Sequence, residues 1–149
     1  MYEKTITVFN RYKSRFGDTW HPTVITNVNL IVDRASIFAK YGENATDNAI
    51  LNVRYNQFGD VKTVEGKPYL PPKEWESQVN EYLSSTITFA HGKDFDFFIE
   101  GDYGSEETIN DDDYEDGFYN YMNDKYDNVF AITSVSILNA IPHFEITGK

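Results

Sequence analysis

The chain has 149 residues, a length that suits one domain with a real hydrophobic core. It has 13 basic and 24 acidic side chains, a formal charge of −11, and no cysteine, so disulfides, thiolate metal sites and thiol catalysis are excluded. Residues 94–127, called the acidic segment below, hold 13 acidic residues and one basic residue, which leaves 11 acidic and 12 basic residues elsewhere. This distribution disfavours nucleic-acid or anionic-membrane binding, because phosphates require clustered Lys and Arg.

Apolar and polar residues alternate through the first third of the chain, which predicts β-structure. The strands that this alternation predicts cover residues 5–10, 20–27, 28–36 and 49–56. Asn27 and Asn29 mark a tight bend or bulge between the second and third of these strands. Residues 11–18 predict a polar connection that ends in a Gly-Asp turn signal, and residues 41–47 predict a loop.

Glycine and proline mark the next stretch. Residues 57–72 contain two glycines and three prolines, which predicts a long loop. Pro72 suits the first turn of a short helix. The apolar residues on one face of that helix are Trp75, Val79 and Tyr82 or Leu83.

Strand and helix signals alternate around the acidic segment. Residues 86–90 and 94–100 predict two strands joined by a turn at Gly92. The apolar face of the second strand consists of Phe95, Phe97 and Ile99. Its acidic face consists of Asp94, Asp96 and Glu100, a composition typical of an ordinary face in contact with solvent. Asn110 suits a helix N-cap, and three aspartates follow it where the helix dipole favours negative charge. Residues 111–126 therefore predict an amphipathic helix.

Two final strands are predicted over residues 129–139 and 143–147. The fold class that follows is mainly β: a small antiparallel β-barrel or sandwich of seven or eight strands with two short helical insertions. We expect one β-barrel-like domain over residues 1–149, with an acidic helical insertion around residues 101–128. No apolar run is long enough for a transmembrane helix and no signal-peptide pattern opens the chain, so we expect a cytoplasmic protein.

The acidic run at residues 110–117 suggests calcium, but an EF-hand loop does not fit it. With Gly117 at position 6 of such a loop, Tyr114 stands at position 3 and Asn123 at position 12, where the loop requires ligands. The helix-cap interpretation explains the same residues more simply, and no metal site is predicted.

Two sets of side chains offer acid–base chemistry. The histidines are His21, His91 and His143. They lack metal-ligand spacing, and each reads as a structural or surface histidine unless a nucleophile meets it in space. The carboxylates available for a glycoside-cleaving pair are Asp94, Asp96, Glu100 and Asp102. The solvent-face interpretation of these carboxylates is favoured.

Arg11, Lys13 and Arg15 form a small basic patch with Tyr12 and Phe16 interleaved. Such loops bind single-stranded nucleic acid, but three charges are too few to hold DNA at cellular salt. A hairpin tip in solvent, or a contact with an acidic protein, is favoured. A second candidate contact patch is acidic and consists of Asp111, Asp112 and Asp113. The chain has no nucleotide-loop or serine-hydrolase motif, and we predict no catalytic, cofactor-binding or metal-binding residue.

Three parts of the chain together carry a family resemblance. They are TITVFNR and DTWHPTV at residues 5–11 and 18–24, the block at residues 92–121, and VFAITSV and PHFEI at residues 129–135 and 142–146. The pattern resembles small uncharacterised proteins encoded in phages and prophages of Gram-positive bacteria, in the head and neck gene region. It is also similar to the wider group of head–tail joining proteins, which includes stopper and minor capsid proteins.

The resemblance implies a structural role in the virion without catalytic residues. The opening strand pair and the final hairpin would bound a small β-barrel. Copies would form a homo-oligomeric ring at the head–tail connector, against the portal, its adaptor or tail-side neighbours, after synthesis in the bacterial cytoplasm. An acidic surface suits a DNA conduit, because negative charge repels phosphate. The loop at residues 57–72 and the acidic insertion depart from the simplest joining proteins.

Two other functions remain open from the residues alone. The first is a β-barrel ligand-binding module, with a cleft near the aromatic residues of 95–99 and 114–121. The second is a small hydrolase that uses two of the carboxylates, which requires them to lie about 5–10 Å apart in a cleft.

Overall fold

A computed structural model describes residues 2–33 and 48–149 of the chain. The loop predicted over residues 41–47 and the end of the strand predicted over residues 28–36 lie outside the described residues. The strands are β1 (Lys4–Tyr12), β2 (Thr19–Val32), β3 (Ala49–Arg54), β4 (Asn56–Phe58), β5 (Val61–Val64), β6 (Lys67–Pro68), β7 (Phe97–Glu100), β8 (Ile109–Asn110), β9 (Val129–Leu138) and β10 (His143–Gly148). The helices are α1 (Pro72–Glu76), α2 (Asn80–Leu83), a 3-10 turn (Asp111–Asp113) and α3 (Phe118–Lys125).

Six strands close into an antiparallel barrel in the order β1-β7-β9-β10-β3-β2, and pairing of β2 with β1 completes the ring. The short strand β8 adds to β2 at Thr19 and Trp20. This confirms the mainly β fold class and decides for a barrel over a sandwich.

A bulge in β2 allows one strand to serve two neighbours. Lys4 pairs with Val28 but Ile6 pairs with Ile25, so β2 has one extra residue there, and Asn27 has a φ of +55°. A bulge bends and twists its strand. The predicted bulge is confirmed, but the separation into two strands is wrong, since Thr19–Val32 is continuous.

The barrel has an inner core and an outer one. Ile6, Val8, Phe98 and Phe144 belong to the cluster that fills the barrel. A second cluster covers the outside of β1, β2 and β7, and it consists of Phe9, Trp20, Phe97, Ile99, Phe118, Met122 and Val129. Strand β7 is therefore buried on both faces, because the chain after it folds back over the barrel.

The stretch after β3 is more regular than predicted. Strands β4, β5 and β6 form a small antiparallel sheet where the sequence predicts a long loop. The single predicted helix is two short ones, α1 and α2. Trp75 and Leu83 are buried, but Val79 and Tyr82 are exposed. The strand predicted over residues 86–90 is reduced to one bridge between Ile87 and Tyr69.

The helix predicted over residues 111–126 is interrupted. A 3-10 turn covers Asp111–Asp113, and α3 begins only at Phe118, after Gly117 with a φ of +88°. The Asn110 side chain makes no capping hydrogen bond. The Asp111 carboxylate accepts the Phe118 backbone N–H at 2.9 Å instead, so the chain caps α3 from across the turn. Within the described ranges, no helix is long and apolar enough to cross a membrane.

Glu65 stabilises the bulged part of β2 from the turn between β5 and β6. Its carboxylate accepts hydrogen bonds from the Thr26 backbone N–H at 2.7 Å and from the Thr26 hydroxyl at 2.9 Å. We expect Glu65→Ala to lower the free energy of unfolding by about 1 kcal/mol in urea denaturation, because both donors lose their acceptor. Glu65→Gln keeps an oxygen at the same +50° backbone φ and is the matched control. An equal loss in both variants would contradict this role.

Candidate functional site

The hairpin that carries the basic patch contacts the acidic patch in the structure. The hairpin between β1 and β2 lies against the 3-10 turn, where the Asp111 backbone N–H donates to the Asp18 carbonyl at 3.0 Å. The Trp20 indole N–H donates to Asp111 Oδ1 at 2.8 Å. Gly17 has a φ of +116°, which L side chains rarely adopt, and a Cβ there would lie 2.6 Å from Asp112 Oδ2.

Each basic side chain of the first patch is engaged within the chain. Arg11 Nη2 lies 2.7 Å from Asp18 Oδ2, and its guanidinium lies over the Trp20 ring. Lys13 Nζ lies 3.0 Å from Asp94 Oδ1. Arg15 lies over the Phe16 ring at 4.9 Å. Two of the three charges of the patch are therefore paired with carboxylates of the same chain.

The acidic patch divides into one structural residue and two exposed ones. Asp111 Oδ1 accepts the hydrogen bonds from Trp20 and from the first residue of α3. Asp112 and Asp113 are exposed. Among the described residues, no group of three or more histidine or carboxylate side chains is placed to hold a metal ion.

A cleft of about 470 Å³ opens beside these patches. The side chains that define it include Tyr12, Phe16, His21, Asn80, Asp112 and Asp113. The cleft lies between the β1–β2 hairpin and the 3-10 turn. A second cleft, of about 360 Å³, lies at the aromatic residues expected to form one, and its lining includes Phe95 and Tyr119. The two rings also pack on each other, with centroids 4.9 Å apart.

His21 is buried beside the cleft and faces two hydroxyl groups. Its Nδ1 lies 2.9 Å from Ser84 Oγ, and its Nε2 lies 3.0 Å from Thr19 Oγ1. Burial, and to a lesser extent the charge of Lys67, lowers the pKa of His21 to about 4. His21 is therefore neutral at neutral pH. In a catalytic triad a carboxylate orients the histidine, whereas the partner of His21 on the side opposite Ser84 is the Thr19 hydroxyl.

The other histidines lie apart from this group. His91 is exposed in the turn before β7. His143 Nδ1 lies 2.6 Å from the Ile141 carbonyl in the turn between β9 and β10. The structural or surface interpretation describes both of them.

Asp96 departs most from its predicted environment. It is buried inside the barrel, so its placement on a solvent face is wrong. It accepts hydrogen bonds from the Arg11 backbone N–H at 2.8 Å, the Asn10 side-chain amide at 2.9 Å and the Ala90 backbone N–H at 2.8 Å. Burial raises the pKa of Asp96 to about 7, against the opposing effect of these three donors.

The remaining carboxylates of the predicted catalytic set have separate partners. Asp94 pairs with Lys13, and Asp102 accepts the Gly104 backbone N–H at 2.7 Å. Glu100 pairs with Lys4 at 2.9 Å and accepts the Asn128 amide at 2.7 Å. Each of these carboxylates therefore contacts partners of its own.

One family model covers the whole chain, from residue 1 to residue 149. It is the model of DUF6751, a family of unknown function. The chain belongs to DUF6751. No curated protein and no solved structure matches it. The function of this DUF6751 protein is therefore argued from its own geometry.

Sequence reasoning missed two buried polar groups of the DUF6751 chain. The burial of Asp96 does have a local signal. The apolar residues Phe97, Phe98 and Ile99 follow it without alternation, which indicates a strand buried on both faces. No local signal identifies the contact of His21 with Ser84, which lies 63 positions away in the chain.

Proposed function

We propose that this DUF6751 protein is a non-enzymatic structural protein of a phage or prophage virion. It acts in the head–tail connector region by assembly with the portal, its adaptor or tail-side neighbours, as a homo-oligomeric ring. It assembles in the bacterial cytoplasm and remains in the virion neck. The observation that carries the proposal is that the part of the acidic segment after β7, residues 101–127, is held as a fixed layer on the outside of the barrel, called the acidic layer below.

Aromatic packing fixes this layer. Phe118 of α3 is fully buried, with its ring centroid 5.2 Å from Phe9 and 5.8 Å from Phe97. Ten of the 13 acidic side chains of the segment are nevertheless exposed. An ordered anionic surface beside DNA repels phosphate, so the genome can pass without binding. A structural role needs no catalytic group, and the family resemblance supports the same assignment.

Deletion of the gene from an inducible prophage tests the proposal. We expect lysates with DNA-filled or emptied heads and separate tails by electron microscopy, because a connector subunit is required to join them. The intact gene supplied in trans should restore joined particles. Finished virions with tails attached in the deletion lysate would refute the proposal.

A matched pair of variants separates the acidic layer from the rest of the surface. Asp113→Asn, Glu115→Gln and Asp116→Asn together neutralise three exposed acids of the layer. Glu3→Gln, Glu81→Gln and Glu145→Gln neutralise three exposed acids elsewhere. We expect the first triple variant to restore fewer infectious particles than the second. Equal restoration would leave the layer without the proposed role.

The cleft beside His21 favours a second candidate, a ligand-binding module. Its volume of about 470 Å³ is in the range of small-molecule sites. A thermal-shift screen with sugars, nucleotides and calcium distinguishes the two functions. A rise of several degrees in Tm with one of these compounds would favour the module, because a ligand stabilises the state that binds it.

A further inference from the structure

We propose that the cleft beside His21 binds a neutral carbohydrate, a ligand of one or two sugar rings without phosphate, carboxylate or ammonium groups. This inference rests on the second candidate function, the binding module, and gives that module its ligand class. It does not depend on the virion role, which the deletion experiment tests separately.

The cleft is a preformed depression of about 470 Å³ with a fixed floor. Two of its lining residues, Leu83 and His21, are only 1% and 6% exposed and form this floor. Its two walls, the β1–β2 hairpin and the 3-10 turn, are joined where the Asp111 backbone N–H donates to the Asp18 carbonyl at 3.0 Å. A ligand that enters therefore orders little of the chain, and little affinity is lost to conformational entropy.

The charges of the lining disfavour an anionic ligand. The described residues that line the cleft include no lysine and no arginine. They include three aspartates: Asp18, which pairs with Arg11 at 2.7 Å, and Asp112 and Asp113, which make no ion pair within the described ranges. His21 is neutral and offsets neither of them. A phosphate or carboxylate group of a ligand would therefore face two uncompensated negative charges, which oppose its binding.

The polar groups of the lining suit a ligand with hydroxyl groups better than an ammonium ion, which only donates hydrogen bonds. The amides of Asn80 and Asn110 and the hydroxyl of Thr108 both donate and accept, whereas the carboxylates of Asp112 and Asp113 only accept. None of these five side chains makes a hydrogen bond to another described residue, so all five are available to a ligand. Each sugar hydroxyl donates and accepts as well, and a sugar therefore matches the whole set.

Two aromatic side chains, Tyr12 and Phe16, complete this lining. Phe16 is 84% exposed even though the Arg15 guanidinium lies 4.9 Å from its ring centroid, so most of its surface is open. A sugar ring has an apolar C–H face and an edge of hydroxyl groups. The C–H face packs on an aromatic ring while the hydroxyls reach polar side chains, and the cleft offers both kinds of contact.

Saturation-transfer-difference NMR with the full chain tests the proposal. The probes are glucose, mannose, galactose, N-acetylglucosamine and N-acetylgalactosamine, together with the disaccharides lactose, maltose and chitobiose. We expect saturation transfer to at least one of these sugars. The 6-phosphate of the best monosaccharide should bind roughly tenfold more weakly or worse, because the carboxylates of Asp112 and Asp113 repel it.

Variants locate the binding in the cleft. Phe16→Ala should raise the Kd of the bound sugar roughly tenfold, because the C–H face of the sugar loses its apolar contact. Phe58→Ala is the matched control, since Phe58 is 90% exposed in the turn of another hairpin, and it should leave the Kd unchanged. Asp112→Asn combined with Asp113→Asn should reduce the difference in Kd between the sugar and its 6-phosphate.

The absence of saturation transfer to every sugar would overturn the proposal. A sugar whose Kd responds equally to Phe16→Ala and Phe58→Ala binds outside the cleft, which would overturn it as well. If a nucleotide or spermidine raises the Tm while no sugar binds, the binding module stands and its assignment to carbohydrate is wrong. Finished virions with tails attached in the deletion lysate bear on the connector role alone, so the proposals fail separately.

Discussion

Replacement of Phe118 by alanine is expected to lower the free energy of unfolding by about 3–5 kcal/mol. Phe118 is fully buried and packs the acidic layer against the outside of the barrel. Its ring packs near Phe9, Phe97 and Tyr114. Truncation removes these contacts and leaves a cavity between α3 and the outside of the sheet. The barrel core inside β1 and β7 is untouched.

Urea denaturation measures this loss, and limited proteolysis locates it. We expect cleavage to begin within residues 101–128, because the cover should open before the barrel does. Tyr121→Ala is the control on the same helix; its side chain is 40% exposed, and its cost should stay below about 1 kcal/mol. Equal costs for the two variants would show that the acidic layer is not anchored through Phe118.

Stability should depend on pH through Asp96 in an unusual direction. Its pKa rises from an ordinary 3.8 to about 7 in the fold, so the folded chain keeps a proton that the unfolded chain releases. The stability that this proton provides is fully present below about pH 4 and is lost as pH rises through 7. Relative to Asp96→Asn, the wild-type chain should gain about 1.4 kcal/mol for each pH unit between 7 and 4.

The comparison with Asp96→Asn is needed because His21 acts in the opposite sense. The pKa of His21 falls from 6.5 to about 4, so its contribution is present above about pH 6.5 and is lost as pH falls towards 4. Both proteins contain His21, and the difference between them isolates Asp96. Asp94→Asn, which removes an exposed pair with Lys13, is the control and should show no such slope. A difference that grows with rising pH would mean that the three N–H donors outweigh burial.

Strands with a regular period of two were predictable. Residues 49–56 and 143–147 alternate because one side of each strand faces the barrel and the other faces water. Residues 129–139 were predictable as a run rich in β-formers, although the burial of β9 does not alternate regularly. The small sheet at residues 56–68 was not predictable in the same way. Its strands have two to four residues, and Gly59 and Gly66 at its turns have positive φ, so the turn signals outweigh the strand signals.

The start of the helix in the acidic segment could not be predicted from neighbouring residues. Three aspartates after Asn110 are a good helix start by themselves, yet the Trp20 indole and the Phe118 N–H both take Asp111 as their acceptor. Trp20 is 91 positions from Asp111 in the chain. This long-range contact overrides the local preference of Asn110 for a helix cap. Because its two residues are far apart in the chain, no periodic pattern in the sequence reveals it.

The sequence alone determined the mainly β fold class, the absence of thiol chemistry and the concentration of acid in one segment. These depend on composition and on alternation between neighbouring residues. Only the tertiary structure decided that the acid covers the outside of the barrel, that it helps neutralise the basic hairpin, and that Asp96 lies inside. These features arise because the chain after β7 folds back over the outside of the barrel. Which face of a strand is covered in this way depends on residues far away in the chain.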